Sequence, residues 1–359
     1  MRGKLTDDWF FGLRLESGVS ARSTNVTFGD DAGPFGKASD GAFIGQAYLG
    51  YKGIDGLTLT AGKMPNPFVT TSMVWDSDIN PEGLSQQYKY TFKLAGREAS
   101  ESYSKDVKAI APAKADGMTI DLFANFGQFV YDDANPDRRI GNATPEIPET
   151  DAYLLGWQVG ARFNFTKDLY FQLAPTIYNY TGAGDAFFRP YDGGPGLASN
   201  QTGIRDLLIF NMPAELGFKA GKIPMRVFSD FAVNLDAEDR ARAAGRPDKG
   251  DQRYAYQIGA AAGRIKQKHD WQVSAFWQHT EQFSLDPNLV DSDIFDSRVN
   301  MEGFAVQGQY TVSDAVTFSL TYAYGNQADK SLGTGGTGDI GYNPLRDYQL
   351  FQADLSWKF

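Results

Sequence analysis

The sequence predicts an all-β protein, a transmembrane antiparallel up-and-down β-barrel, from three observations. Apolar and polar residues alternate over long segments, as in Leu208–Phe218 and Val316–Tyr324, and a period of two is typical of strands with two different faces. Most of these segments run for about nine to thirteen residues, the length of a tilted membrane-spanning strand and about twice that of an ordinary soluble strand. Short and long connections alternate between them, as expected of a barrel with short turns at one end and long loops at the other.

We count about fourteen such segments, and together they make the whole chain, residues 1–359, a single predicted barrel domain. The predicted strands are Trp9–Ser17, Ala42–Tyr51, Leu57–Lys63, Gln87–Ala95, Met118–Gly127, Ala152–Phe165, Leu169–Tyr180, Leu207–Phe218, Ile223–Val233, Arg253–Ile265, Trp271–Gln282, Gly303–Val312, Ala315–Gly325 and Tyr348–Phe359. One connection, Gly96 to Gly117, lies on the short-turn side and is nevertheless long. The alternation gives no physical account of it.

The composition resembles that of a soluble protein in its average polarity but not in its aromatic content. The chain has a net charge of −10, a mean hydropathy of −0.39 and no Cys, and 14% of its residues are aromatic. A membrane barrel reconciles these values because half of its strand residues face lipid and half face water. No run approaches the roughly 18 apolar residues of a membrane-spanning helix. The acidic balance argues against nucleic-acid binding.

The alternation alone leaves one other fold open, a soluble β-sandwich that buries one face of each strand. Strand length, loop alternation and the placement of the aromatic residues favour the barrel. Aromatic side chains near strand ends suit the girdles of a membrane barrel. These residues are Trp9, Tyr51, Trp157, Trp271, Trp277, Tyr322, Tyr324 and Trp357.

The last strand carries apolar residues at alternate positions back from an aromatic terminus. They include Phe351, Leu355, Trp357 and Phe359. This pattern resembles the signal by which outer-membrane proteins are recognised for assembly, so the barrel-assembly machinery is an expected partner. Its physical content is a lipid-facing stripe on the closing strand.

Two stretches resemble a family of porins found in outer-membraned bacteria. The first is Gly62-Lys63-Met64-Pro65-Asn66-Pro67-Phe68, followed by Trp75-Asp76-Ser77-Asp78-Ile79-Asn80-Pro81-Glu82-Gly83-Leu84. The second runs from Trp9 to Gly18, with Ser23-Thr24-Asn25 after it. The resemblance implies a sixteen-stranded barrel in the outer membrane of a Gram-negative bacterium, in contact with its lipid, and a homotrimer. Because Met1 to Asp8 has no apolar signal core, we expect either a removed signal peptide or an upstream hairpin.

The function implied by this resemblance is a water-filled channel for the passive diffusion of small polar solutes and ions. Two alternatives remain open. One is a structural protein that tethers the outer membrane to the cell wall. The other is a substrate-selective channel, for anions such as phosphate or for sugars.

Charged residues predict where such a channel would be narrow. By analogy with porins whose third long loop folds inward, residues 64–86 are the candidate constriction loop, with acidic side chains at Asp76, Asp78 and Glu82. The alternation places basic residues on the inner wall opposite: Arg14, Lys89, Lys93, Arg162, Arg226 and Arg253. An acidic loop facing a basic wall would create a transverse field that orients dipolar solutes. The alternative is that these charges lie at the rims and are solvated.

Catalysis, cofactors and metal sites are not predicted. The chain has only two His, His269 and His279, and their positions offer no nucleophile oriented by a base. Ca²⁺ is conceivable where carboxylates crowd the outer loops, but no twelve-residue Ca²⁺ loop is present, and a solvated surface is favoured. Those carboxylates are Asp30, Asp31, Asp132, Asp133, Asp137, Glu238, Asp239, Asp291, Asp293 and Asp296.

Overall fold

A computed structural model describes residues 1–18, 41–94, 117–132, 152–181, 206–333 and 345–358. Its strands are β1 (Arg2–Lys4), β2 (Trp9–Gly18), β3 (Gly41–Ile54), β4 (Leu57–Lys63), β5 (Glu82–Lys93), β6 (Thr119–Asp132), β7 (Ala152–Thr166), β8 (Leu169–Leu173), β9 (Thr176–Thr181), β10 (Leu208–Asn211), β11 (Ala214–Ala220), β12 (Ile223–Asn234), β13 (Tyr254–Gly263), β14 (Trp271–Thr280), β15 (Met301–Ser313), β16 (Val316–Gln327) and β17 (Asp347–Trp357). The connection between β12 and β13 contains the helix α1 (Ala237–Ala243) and a 3-10 turn at Pro247–Lys249.

The strands form one antiparallel sheet in which chain neighbours pair with each other. The pairing of β14 with β15 runs from Trp271 opposite Tyr310 to Thr280 opposite Met301 without a shift in register. Short turns such as residues 167–168 and 221–222 join the strands at one end, and the long connections leave from the other, except for the one between β5 and β6, which lies at the short-turn end. The transmembrane β-barrel predicted from the alternation is confirmed, and the soluble β-sandwich is wrong. None of the helices among the described residues is long and apolar enough to cross a membrane.

The two faces of the sheet differ as the alternation predicts. On β15, Val306 points outward with 40% of its surface exposed. The next residue, Gln307, points inward, donates to Thr321 Oγ1 at 3.0 Å and lines an interior cavity. Ile258 and Val159, also outward, are 58% and 57% exposed. Apolar exposure on this scale is unfavourable in water and is expected where the outside is hydrocarbon.

Two predicted strands are each divided in two by a proline. Pro175 separates β8 from β9 and Pro213 separates β10 from β11. Proline has no amide hydrogen to give to the ladder, so regular pairing stops there. The two breaks lie side by side, since the Ala174 amide donates to the Pro213 carbonyl at 3.1 Å. The short β1, which pairs with β2 through Arg2 opposite Gly12, was not among the predicted strands.

The predicted start of β5 is wrong by five residues, because the strand begins at Glu82 and not at Gln87. Residues 82–86 therefore belong to the wall, and the candidate constriction loop comprises residues 64–81. This part of the strand was not predicted, because the polar residue Gln86 occupies an outward position and interrupts the alternation. Gln86 pairs with Gln128 through two reciprocal amide hydrogen bonds of 2.9 and 3.1 Å, so each side chain satisfies the other.

Aromatic residues concentrate near both ends of the outward face. Trp9 packs against Tyr51 with ring centroids 4.9 Å apart at the short-turn end. Tyr256 packs against Trp277 at 5.5 Å toward the long-loop end. The closing stripe on β17 points outward, with Phe351, Leu355 and Trp357 all more than half exposed. Phe359, the last residue of the predicted stripe, lies outside the described residues.

On β15, arginine at an outward position should lower the stability much more than arginine at the neighbouring inward position. Val306→Arg places a charge in hydrocarbon and should lower the free energy of unfolding by about 2–4 kcal/mol. Gln307→Arg, one residue on, places the same side chain in the interior and should cost only about 1 kcal/mol for the lost hydrogen bond. Urea titration of the protein folded into lipid vesicles measures both. Equal losses at the two positions would contradict the assignment of faces.

Candidate pore constriction

The loop of residues 64–81 folds into the interior of the barrel, and its first turn explains the Pro-Asn-Pro-Phe motif. The Asn66 side chain accepts the amide hydrogen of Phe68 at 2.9 Å, a local turn that asparagine forms readily. Pro67 between them fixes the backbone. The Pro67 carbonyl accepts from Gln87 Nε2 on β5 at 3.1 Å, so the turn is held against the neighbouring strand.

Phe68 inserts into an aromatic socket on the inner wall. Its ring centroid lies 5.4 Å from that of Tyr178 and 6.2 Å from that of Phe129, both in edge-to-face geometry, which aromatic rings favour. Glycine makes the socket deep enough. A Cβ at Gly156 would lie 2.2 Å from the Phe68 ring. Trp75, from later in the loop, covers the same cluster with its centroid 6.4 Å from that of Phe68.

Gln158 on β7 binds the backbone of the loop as a neighbouring strand would. Its side-chain oxygen accepts from the Val69 amide at 2.9 Å, and its nitrogen donates to the Val69 carbonyl at 2.8 Å. The same side chain accepts from Asn125 Nδ2 at 2.8 Å and donates to Thr176 Oγ1 at 2.7 Å. Gln158 is fully buried, so the loop holds its place through groups that are costly to leave unpaired.

Farther along, the loop reaches strand β12 on another part of the wall. Thr71 Oγ1 donates to Asp230 Oδ2 at 2.6 Å. Asn211 on β10 donates to the other oxygen of Asp230. Because Thr71 and Asp230 are 159 residues apart in sequence, this contact ties the loop to a strand that alternation cannot associate with it.

A second loop, residues 281–300, meets the first inside the barrel. The Asp76 amide donates to the Leu289 carbonyl at 2.6 Å, and the Asp291 amide donates to the Ser72 carbonyl at 3.1 Å. Asp76 Oδ2 accepts from the Ser292 amide at 3.2 Å. These bonds join the two loops as a short backbone pairing.

Two carboxyl groups at this junction have raised pKa values. Burial raises the pKa of Asp76, and the charges of Asp78 and Asp293 raise it further. Burial and the nearby Asp76 charge raise the pKa of Asp291 to about 8. Desolvation and like charge both disfavour ionisation, so protonation stabilises the junction.

The long-loop end is covered above β12 to β16 by packed connections. Ala237 and Ala241 of α1 form a small buried cluster with Phe283 and Leu332. Lys249 Nζ donates to Asp329 Oδ2 at 2.6 Å. Below this cover, the Tyr131 hydroxyl donates to Asp286 at 2.6 Å, which anchors loop 281–300 to β6.

Four of the six predicted basic residues lie on the inner wall, each beside an acidic or aromatic partner. Arg14 pairs with Glu16. Lys89 Nζ lies 3.2 Å from Asp121 Oδ2, and Arg226 Nη1 lies 3.4 Å from Glu215 Oε2. The Arg162 guanidinium lies over the Tyr170 ring, 3.5 Å from its centroid. These wall partners were not predicted, because most of them lie on neighbouring strands rather than beside the basic residue in sequence.

Arg253 was predicted on the inner wall, and this placement is wrong. It precedes β13 and donates to Glu238 Oε1 at 2.7 Å and to the Gly250 carbonyl at 2.9 Å, both in the outer connection. Alternation extended the strand one residue too far, where the backbone already turns into the loop. Lys93, by contrast, keeps the inward parity of β5 but lies exposed at its short-turn end.

The three predicted acidic residues are not equivalent. Asp76 is buried in the loop junction, Asp78 is exposed, and Glu82 is a strand residue opposite Lys63 in the β4–β5 pairing. Glu82 was misplaced because the strand starts earlier than predicted. Three acids that the prediction did not include in the constriction, Asp291, Asp293 and Asp354, line an interior cavity of about 260 Å³.

The structure places the two histidines on different elements. His269 lies in a turn with its Nδ1 2.7 Å from the Tyr310 hydroxyl. His279 lies beside Glu302, with its Nδ1 3.2 Å from Glu302 Oε2, while Ser274 lines the interior. Across the described ranges, no group of three or more His, Asp or Glu side chains is arranged to hold a metal ion.

A single antiparallel sheet with an apolar outside, a polar inside and a loop folded into that interior defines the class of integral outer-membrane β-barrels. The chain belongs to the family described as "Putative porin", whose model matches residues 1–185 of its 359. It is a porin of the bacterial outer membrane. No curated protein matches the chain in sequence.

The chain is also similar to solved structures of bacterial barrels. A mutant of the Rhodopseudomonas blastica porin is 11% identical, with a TM-score of 0.41, and the match covers 100% of this chain and 88% of that one. OmpT, an outer membrane protein of Vibrio cholerae, is 12% identical with a TM-score of 0.40 over 99% and 84% of the two chains. OccD1 (OprD) is 10% identical with a TM-score of 0.40 over 98% and 74%.

The hydrogen bonds between Gln158 and the Val69 backbone predict how strongly the loop is held against the wall. Gln158→Ala leaves the Val69 amide and carbonyl without their wall partners, which should cost about 1–3 kcal/mol and speed amide exchange in residues 67–75 roughly tenfold. Hydrogen exchange followed by mass spectrometry measures this. Gln128→Ala, which removes an amide pair that does not touch the loop, is the matched control. Unchanged exchange in Gln158→Ala would show that the loop is held by other contacts.

The loop junction predicts a dependence of stability on pH. Because the pKa of Asp291 is raised in the folded protein, its contribution is fully present below the ordinary carboxyl pKa of about 4. That contribution should fall as the pH rises through about 8. Asp291→Asn cannot ionise and should not lose it. Urea midpoints of both proteins from pH 4 to pH 9 measure the difference, and parallel profiles would contradict the prediction.

Proposed function

We propose that this protein is a diffusion porin whose interior passes small polar solutes and ions around the in-folded loop. The observation that carries this proposal is the set of polar cavities between the loop and the wall. One interior cavity has a volume of about 570 Å³ and lies between Pro67–Val69 and the wall at Lys89, Asn125 and Arg162. Its size suits a solute of several heavy atoms with water around it.

Neighbouring cavities share lining residues, which supports a continuous path. A second cavity of about 280 Å³ shares Val69 and Gln172 with the first and extends to Arg226. The acidic cavity of about 260 Å³ shares Ser72, Ser274 and Phe276 with the second. The proposed path thus runs along both sides of loop 64–81.

Charge is distributed unevenly around this path. The cavity next to β5 and β7 presents Lys89 and Arg162 together with the recessed Asp121, whereas the cavity next to β15 to β17 presents Asp293 and Asp354, beside an Asp291 whose pKa of about 8 keeps it largely neutral at pH 7. Opposed charges across a narrow aqueous passage create a transverse field, which favours dipolar solutes and disfavours apolar ones. The proposed field has the sense that the sequence predicts, but loop 281–300 and β17 would supply most of its acidic side. Passage of this kind is passive and needs no catalytic group.

Planar bilayers test the channel and the role of the loop together. The purified protein should give stepwise conductance. Replacement of residues 67–79 by a short Gly/Ser linker should raise the step roughly twofold or more, because pore cross-section limits the current. Lys93→Gln, which changes a charge at the short-turn end and leaves the loop intact, should keep a step of wild-type size within about 20%. A bilayer that stays silent at every voltage would refute the channel, and an unchanged step in the loop variant would refute the constriction.

A further inference from the structure

The inner wall carries a continuous row of polar side chains on six consecutively paired strands, β5, β6, β7, β8, β11 and β12. We call it the basic belt, and its members are Lys89, Asp121, Asn164, Arg162, Tyr170, Glu215 and Arg226. Asn164 Nδ2 lies 3.4 Å from Asp121 Oδ2, and Arg162 Nε donates to Asn164 Oδ1 at 3.0 Å. The Tyr170 hydroxyl donates to Glu215, which pairs with Arg226. Each member therefore touches the next.

The belt presents its cations to the interior and holds its carboxylates back. The Lys89 side chain is 61% exposed and that of its partner Asp121 only 15%. The Arg226 side chain is 46% exposed, against 26% for Glu215. In two further ion pairs, Arg14 with Glu16 and Lys219 with Asp168, the cation is also more exposed than the carboxylate. A recessed carboxylate orients the cation, while the exposed face of the cation stays available to a solute.

Arg162 is the member best placed to bind an anion. The ring of Tyr170 supports one face of its guanidinium at 3.5 Å, and Asn164 takes its Nε hydrogen. A guanidinium held in this way loses little freedom on binding and matches a carboxylate in geometry. Arg162 borders the cavity of about 570 Å³ together with Lys89, so both cations face the same space.

The rest of that cavity is suited to a small organic anion rather than to a bare ion. Phe123 and Phe68 give it apolar surface, and Asn125 and Gln87 give it amide groups. Asp121 also borders it, but its side chain is only 15% exposed and pairs with Lys89. Convergent cations within a partly apolar cavity are typical of sites for small organic ligands. On the other side of the loop, Asp293 and Asp354 repel an anion toward the belt.

We propose that the cavity between residues 67–69 and the basic belt is a binding subsite for small organic carboxylates, with Lys89 and Arg162 as its cationic ligands and Arg226 as the next cation along the path. The proposal rests on the proposed channel function and specifies the solute class that the channel retains. A carboxylate exchanges water for the exposed cations, passes from Arg162 to Arg226 and leaves without any change in covalent bonding.

Block of the chloride current by succinate tests the subsite. Millimolar succinate should reduce the single-channel chloride current of the purified full chain in a saturable way. Lys89→Gln and Arg162→Gln should each weaken this block roughly tenfold, as expected for loss of one charge-assisted hydrogen bond. Lys93→Gln is the matched control on the same strand outside the belt, and its block should stay within about twofold of wild type. Lys89→Gln changes an exposed side chain and keeps the test valid should Arg162→Gln fail to fold.

The outcomes separate the subsite from the channel. Normal chloride conductance with no succinate block, or with block that Lys89→Gln and Arg162→Gln leave unchanged, would overturn the subsite and leave the channel standing. Sulfate blocking as strongly as succinate through the same residues would overturn the carboxylate assignment. Absence of any conductance would overturn the channel and the subsite together.

Discussion

The structure depends on one constraint, that backbone amides and carbonyls inside a bilayer must pair with each other because no water is available to them. Strands satisfy this constraint only by pairing side by side, and the pairing fixes which side chains meet lipid. On β15 it turns Val306 outward and Gln307 inward. The polar lining of the wall follows from this parity, since an inward position next to an apolar one is free to carry a polar or charged side chain.

The interior is shaped by loop 64–81 more than by the strands. The loop takes its form from a short motif, in which Asn66 closes a turn and Phe68 fills a socket that Gly156 leaves open. Its position comes from side chains on distant strands, chiefly Gln158 and Asp230. A wall and a loop that share buried polar groups in this way behave as one rigid unit, because leaving either side unpaired is costly.

The sequence predicted most of the strands and their parity well, because each is a local pattern. It failed where local pattern and structure diverge. Gln86 interrupts the alternation, so the start of β5 was missed. Its side-chain amide can stand at an outward position because it forms hydrogen bonds with that of Gln128. Arg253 fits the alternation but precedes the first residue of β13, so it was wrongly assigned to that strand. The junction of Asp76 with Ser292 joins residues 216 positions apart, and no periodicity in a single sequence encodes such a contact.

The contacts that hold loop 64–81 also imply an order in which parts of the barrel form during folding. Residues 64–81 precede nearly all of their anchors in the chain, and Gln158, Tyr178, Asp230 and Ser292 follow in that order. Until those strands are in place, the loop has only neighbours such as Gln46, which donates to Asn80 at 2.8 Å. The loop is therefore held in its final position only after the far half of the wall has formed, and we expect the proposed passage to have no defined width before then.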